Sequence, residues 1–164
     1  MSLLNILTVG NTIAEKQLAM IAKPVIDFES QTLKKTVSDM IETMRYFQGV
    51  GLAAPQIGLS QRIIVLEVAD NTRYPEAEDI PLDILINPKI LKFSTQYEDD
   101  WEGCLSIPDK KGRVKRSRNI RYQAQNLNQK WITNTVSGFH ARIIQHEVDH
   151  LNGILYTQRL NDMT

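Results

Sequence analysis

The segment from Ser137 to Gly153 constrains the fold of this chain more than any other. Phe139, Ile143, Ile144, Val148 and Leu151 place apolar side chains on most sides of a helix expected over residues 138–152. Ser137 can cap its start, and Gly153 stands where a left-handed residue ends helices. A helix that is apolar nearly all round is normally buried. This one also carries His146, Glu147, Asp149 and His150. Burying four ionisable groups is costly unless something compensates them. The rest of the chain must therefore fold around this helix and supply it with partners.

His146-Glu147-Val148-Asp149-His150 is an H-E-x-x-H pattern. On a helix, residues four apart share a face, so both imidazoles can reach one ion, with Glu147 beside it and free for proton transfer. His140 precedes His146 by six residues, about 120° around the helix, and is not expected to be a ligand. A catalytic centre needs a third protein ligand and one position left for water. A downstream Glu, as in one class of zinc peptidases, is absent after His150. The longer pattern H-E-x-x-H-x-x-G-x-x-H fits Gly153 but meets Tyr156 where its last His should be. The remaining source is Cys104, in Trp101-Glu102-Gly103-Cys104-Leu105-Ser106. A free cysteine is often only a small buried hydrophobe. With the alternatives eliminated, Cys104 is the best third ligand.

The remaining pattern predicts one ordinary globular domain over residues 1–164. The 164 residues carry 19 basic and 19 acidic side chains. That balance argues against a nucleic-acid or anionic-membrane binder working by bulk attraction. Cys104 is the sole cysteine, so no intramolecular disulfide can form, and a reducing compartment is expected. The longest uncharged run, residues 46–61, is broken by Gly49, Gly51, Pro55 and Gly58 and falls short of the ~18 apolar residues of a span. Residues 1–15 contain no Lys or Arg, so no signal peptide is expected.

A first helix is expected over residues 11–22, with a Thr12/Glu15 capping box and a stripe of Ile13, Leu18 and Ile21. A second carries Leu33, Val37, Met40, Ile41, Met44 and Phe47 on one face after a Ser30 cap. Strands are expected at residues 62–68 and 84–93, with Pro88 marking an edge or a bulge. Ile120, Tyr122 and Ala124 alternate with polar residues, as do Trp131, Thr133 and Thr135, which predicts a hairpin across residues 126–129. Residues 70–83 are expected to form a loop. Gly49-Val50-Gly51-Leu52-Ala53-Ala54-Pro55-Gln56 suggests a close backbone approach, with Gln56 as a neutral donor, or simply a glycine-rich turn.

In this order, GVGLAAPQ, EGCLS and QHEVDH resemble the three signature motifs of the peptide deformylases, and the resemblance runs from about Leu33 to Leu160. It implies removal of the formyl group from N-formylmethionine on newly made polypeptides. It implies a metal held by Cys104, His146 and His150, with Fe(II) the usual ion and zinc, nickel or cobalt able to substitute. Glu147 would be the general acid/base. Gln56 and the backbone N–H of Leu105 would stabilise the oxyanion, and Gly51 would offer its carbonyl to the substrate. Glu102 would pair with Arg116 and brace the cysteine segment, with Asp149 behind the ligands. Ile143 is expected to wall the methionine pocket.

The expected fold is α+β, a single domain of antiparallel strands around a buried metal-binding C-terminal helix. The expected partners are N-formylmethionyl nascent chains in the cytoplasm near the ribosome exit, with no nucleic acid and no membrane. The match weakens at the periphery. Thr8-Val9-Gly10-Asn11-Thr12 lacks a proline-rich opening, Lys115 stands where a proline is frequent, and the sequence to Thr164 has no longer C-terminal helix. An H-E-x-x-H zinc endopeptidase is the alternative, opposed by the missing downstream ligand. A structural zinc domain would want four closed ligands, and only three are credible.

Overall fold

The computed structural model of the chain describes residues 2–162. Met1, Met163 and Thr164, included in the expected domain of residues 1–164, lie outside the described residues. Helices α1 (Thr12–Leu18) and α2 (Gln31–Tyr46) come first, then strands β1 (Gly51–Ala53), β2 (Ile63–Val68), β3 (Ile80–Phe93), β4 (Tyr97–Cys104), β5 (Ile107–Ser117), β6 (Asn119–Gln125) and β7 (Trp131–Ser137). Helix α3 (Gly138–Leu151) and strand β8 (Leu160–Asp162) close the order. The arrangement is the expected α+β one. Two antiparallel sheets form, with orders β1-β2-β3-β6-β7 and β4-β5-β8.

The larger sheet is covered on both faces, and β2 records this in its side chains. Ile64, Leu66 and Val68 point to one side and join Ala141, Ile144, Val148 and Leu151 of α3. Ile63 and Val65 point to the other and meet Leu33, Val37, Met40 and Met44 of α2. A strand buried on both faces reads as a continuous apolar run rather than an alternating one. Ser30 caps α2 through its hydroxyl, which accepts the Thr32 N–H at 3.1 Å. Phe47, at the end of the expected stripe, is exposed.

Several expectations need correction. Helix α1 ends at Leu18, and its cap is Asn11, whose Oδ1 accepts the N–H groups of Ile13 and Ala14. Ile13 and Ile21 are 71% and 70% exposed, so Leu18 alone of the expected stripe is buried. The helix cannot continue because Ala22 donates its N–H to Leu151 of α3, and Lys23 precedes a proline. The expected loop over residues 70–83 is shorter, since β3 starts at Ile80. Pro88 sits in a central strand, so it marks a bulge and not an edge: the β3–β6 register shifts between Ile86 and Lys89, and Asn87 has φ 52°. Ser137 occupies the cap position of α3 without a side-chain capping bond. Gly153 is left-handed as expected, with φ 75°.

The β4–β5 hairpin was not expected from the sequence. Its inward side chains near the tip are Glu102 and Cys104 rather than aliphatic residues, while positions 97–101 are exposed. Alternation in burial is present, but alternation in hydrophobicity is not. Beneath this hairpin, Ile107, Val114 and Tyr156 form a third small core with Cys104. Among the described residues, no helix is long and apolar enough to cross a membrane.

Candidate metal centre

Eleven consecutive residues of α3, Ala141 to Leu151, are buried, so its four ionisable groups at 146–150 are solvated by the protein alone. His146 and His150 lie one turn apart with their ring centroids 5.1 Å from each other. Cys104 reaches them from the end of β4. One ligand atom each from Cys104, His146 and His150 lie within 4.8 Å of one another, and all three residues are buried. Cys104 Sγ is 3.3 Å from His150 Nε2. His140 is outside this group, as expected; it is half-buried beside Asp83. Tyr156, at the position a longer zinc motif would give to His, stacks on His146 with centroids 6.0 Å apart.

The surroundings fit a cation held by these three residues. His146 Nδ1 is bonded to Glu102 Oε1 at 2.8 Å, which leaves Nε2 for a ligand. Burial holds His150 well below its ordinary value, in the neutral form that can ligate. Its Nδ1 has no partner among the described residues. A thiolate and two imidazoles form the donor set that zinc and iron accept.

Glu102 and Arg116 form the expected pair, joined twice at 2.9 Å. Arg116 also donates to Asp149 Oδ2 at 2.6 Å, and Arg159 clasps the same carboxylate at 2.6 and 3.0 Å. Burial pushes Glu102 up, but the bonds to His146 and Arg116 outweigh it and hold the carboxyl well below its usual range. Asp149 thus braces the helix through arginines rather than touching the histidine rings.

Glu147 is 4% exposed and its Oε2 has no hydrogen-bond partner among the described residues. Burial pushes its carboxyl up to about 7. Gly51 lies against it so closely that a Cβ there would be 2.6 Å from Glu147 Oε1. This is the close approach that the glycine-rich segment suggested; a side chain at this position would displace the Glu147 carboxyl. Gln56 is held in place because its Oε1 accepts the Ala53 N–H at 2.9 Å. Its Nε2 then points to Ser106 Oγ at 3.2 Å and Cys104 Sγ at 3.6 Å. Leu105 sits in the two-residue connection after Cys104, and Ile143 lies on α3 one turn before Glu147. Gly51, Gln56, Leu105, Ile143 and Glu147 line one pocket with Cys104 and His146.

The sequence did not single out several residues of this pocket. Arg142 is buried and bonded to Glu102 at 2.7 Å. A lone arginine in so apolar a helix is a signal that it must find a carboxylate. Tyr74 accepts the Gly103 N–H at 3.1 Å and packs on Phe139 with centroids 5.0 Å apart. Nothing in the polar stretch around Tyr74 marks it out.

Known proteins resemble this chain in sequence and in fold. The chain matches the polypeptide deformylase family over residues 3–164. Peptide deformylase 1 of Nitrosomonas europaea is 48% identical over 142 residues, covering 87% of this chain and 81% of its own. The fold superimposes on a Met-Ala-Ser-bound class I type b peptide deformylase from Acinetobacter baumannii with a TM-score of 0.91 and 38% identity, covering 97% of this chain and 99% of that one. A peptide deformylase from Synechococcus elongatus in complex with actinonin aligns with a TM-score of 0.85 and 33% identity, over 97% and 79% of the two chains.

Proposed function

The chain belongs to the polypeptide deformylase family, metal-dependent hydrolases that remove the formyl group from N-formylmethionyl polypeptides, and from that premise we propose which of its residues carry the reaction. Cys104, His146 and His150 hold the metal, with Nε2 of His146 facing it. When bound, the metal acidifies water and polarises the formyl carbonyl. Glu147 takes the proton of the attacking water and passes it to the leaving nitrogen as the C–N bond breaks, releasing formate and a free amine. The Gln56 amide and the Leu105 N–H donate to the carbonyl oxygen as it gains charge; one such donor is typically worth about 10²–10³ in rate. Gly51 offers its carbonyl to the substrate, and Ile143 walls the methionine side chain. A formyl carbon bears only hydrogen, so a tight pocket rejects acetyl by size.

One observation carries this assignment. The three ligand atoms converge beside a buried carboxyl, Glu147, with an oxygen that no described residue engages. Cys104→Ser is expected to lose most of its metal and its release of formate from a formyl-Met peptide. Full metal occupancy in that variant, by elemental analysis of the assayed sample, would overturn the ligand set.

We take Fe(II) as the working ion, with zinc, nickel and cobalt as substitutes. The affinity order alone does not select among them for this donor set. We place the enzyme in the cytoplasm, acting on nascent chains near the ribosome exit. A site that admits substrate also admits O₂, and the Cys104 thiolate can be oxidised to sulfenic and higher acids. The iron form is expected to lose its activity in air within hours, while nickel and zinc forms of the same preparation persist and zinc turns over more slowly. Equal decay of all three, followed as activity against time, would remove iron from the proposal.

A further inference from the structure

Glu102 is bonded more fully than an ion pair with Arg116 requires. Its Oε1 accepts from Arg116 Nη2 and His146 Nδ1, and its Oε2 accepts from Arg116 Nε and Arg142 Nη1. A carboxylate offers about four lone-pair sites, so no acceptor is left over. Arg116 alone would complete a two-point pair with it, and Arg116 also has Asp149. The second arginine, buried against the same carboxylate, is a charge that the fold had no need to bury for pairing.

The position of Arg142 accounts for it. Arg142 and His146 are four residues apart on α3 and therefore share a face. They grip opposite oxygens of Glu102, at 2.7 and 2.8 Å. The loop so closed runs from α3 through a β4 carboxylate and back to α3 one turn on. Arg142 also donates to the Val114 carbonyl of β5 at 2.7 Å and to the Glu98 carbonyl of β4 at 2.8 Å. Its guanidinium thus bolts the cysteine-bearing hairpin to the histidine-bearing helix.

We propose that Arg142 is a positioning residue of the metal centre, which fixes Glu102 so that His146 is held by its Nδ1–H with Nε2 turned toward the ion. Arg142 touches neither the ligand rings nor the substrate in this role. It acts through Glu102. The inference rests on the assignment of His146 as a ligand.

The test is the cobalt(II) dissociation constant and visible spectrum of the full chain for wild type, Arg142→Met, Glu102→Ala and the double variant, with folding followed by melting of the metal-free proteins. Arg142→Met is expected to weaken cobalt binding about 10–100-fold, the usual range for partners of ligating histidines, and to shift the cobalt bands. In the Glu102→Ala background the same change should alter the constant less than about twofold, because the group it acts through is gone. A merely structural arginine would lower the melting temperature in both backgrounds and leave the spectrum unmoved. Wild-type affinity and spectrum in Arg142→Met would overturn the proposal, and so would an undiminished loss in the double variant. If Arg142→Met does not fold, Arg142→Lys replaces it. Lysine cannot make all three bonds at once, so roughly a three- to tenfold weakening is expected, and wild-type affinity overturns the proposal. Retention of cobalt by His146→Ala would instead refute the ligand assignment, and this inference with it.

Discussion

Glu147→Ala should keep about one metal per chain and lose roughly 10²–10⁴-fold in kcat for formyl-Met peptides, the range of a positioned acid/base. The two halves of this result have separate causes. Metal retention is expected because Cys104, His146 and His150 form the ligand group without Glu147. The loss of rate is expected because Oε2 of Glu147 is buried with no partner among the described residues and is free to carry the proton. Burial at α3 pushes this carboxyl up to about 7, which suits a group that must both take and return a proton near neutrality. Metal content and kcat measured on one sample check both halves. Near wild-type turnover would remove Glu147 from the reaction. Loss of metal together with rate would make it a ligand.

Glu102→Ala should destabilise the protein by about 3–5 kcal/mol, because one partner of a buried charge network disappears while the others stay. Arg116 would retain Asp149, but Arg142 would keep only two strand carbonyls, and His146 Nδ1 would lose its acceptor. For a chain of this size the midpoint should fall by roughly 6–20 °C. Metal affinity should fall in the same variant, since an unbraced imidazole no longer points one way. Calorimetry and metal titration check the two effects. An unchanged midpoint with unchanged affinity would show that Glu102 braces nothing.

These two residues differ in how legible they were. Glu147 could be read from four neighbours in sequence, because helical spacing alone places it beside two imidazoles. Pairing Glu102 with Arg116 came from resemblance to a family, since no local rule joins residues 14 positions apart. Burial then added what neither source gave, namely Arg142 and Arg159 as further arms of the same network. The hairpin that carries Glu102 was itself missed, because its inward residues are a carboxylate and a thiol and leave no hydrophobic period to detect.

By itself the sequence determined what short-range geometry controls. It set the helix expected over residues 138–152 and found at 138–151, the shared face of His146 and His150, the strand at β2, the cap at Ser30 and the left-handed Gly153. Only the tertiary structure decided where Cys104 meets those histidines, how Gln56 is turned toward the thiol, and how closely Gly51 approaches Glu147. It also stopped α1 at Leu18 by giving the Ala22 N–H to Leu151 of α3. The division has a physical reason. Helix spacing is fixed by hydrogen bonds spanning a few residues, whereas the meeting of Cys104 with the histidines depends on contacts between elements far apart in the chain, whose register is set by the pairing of whole strands.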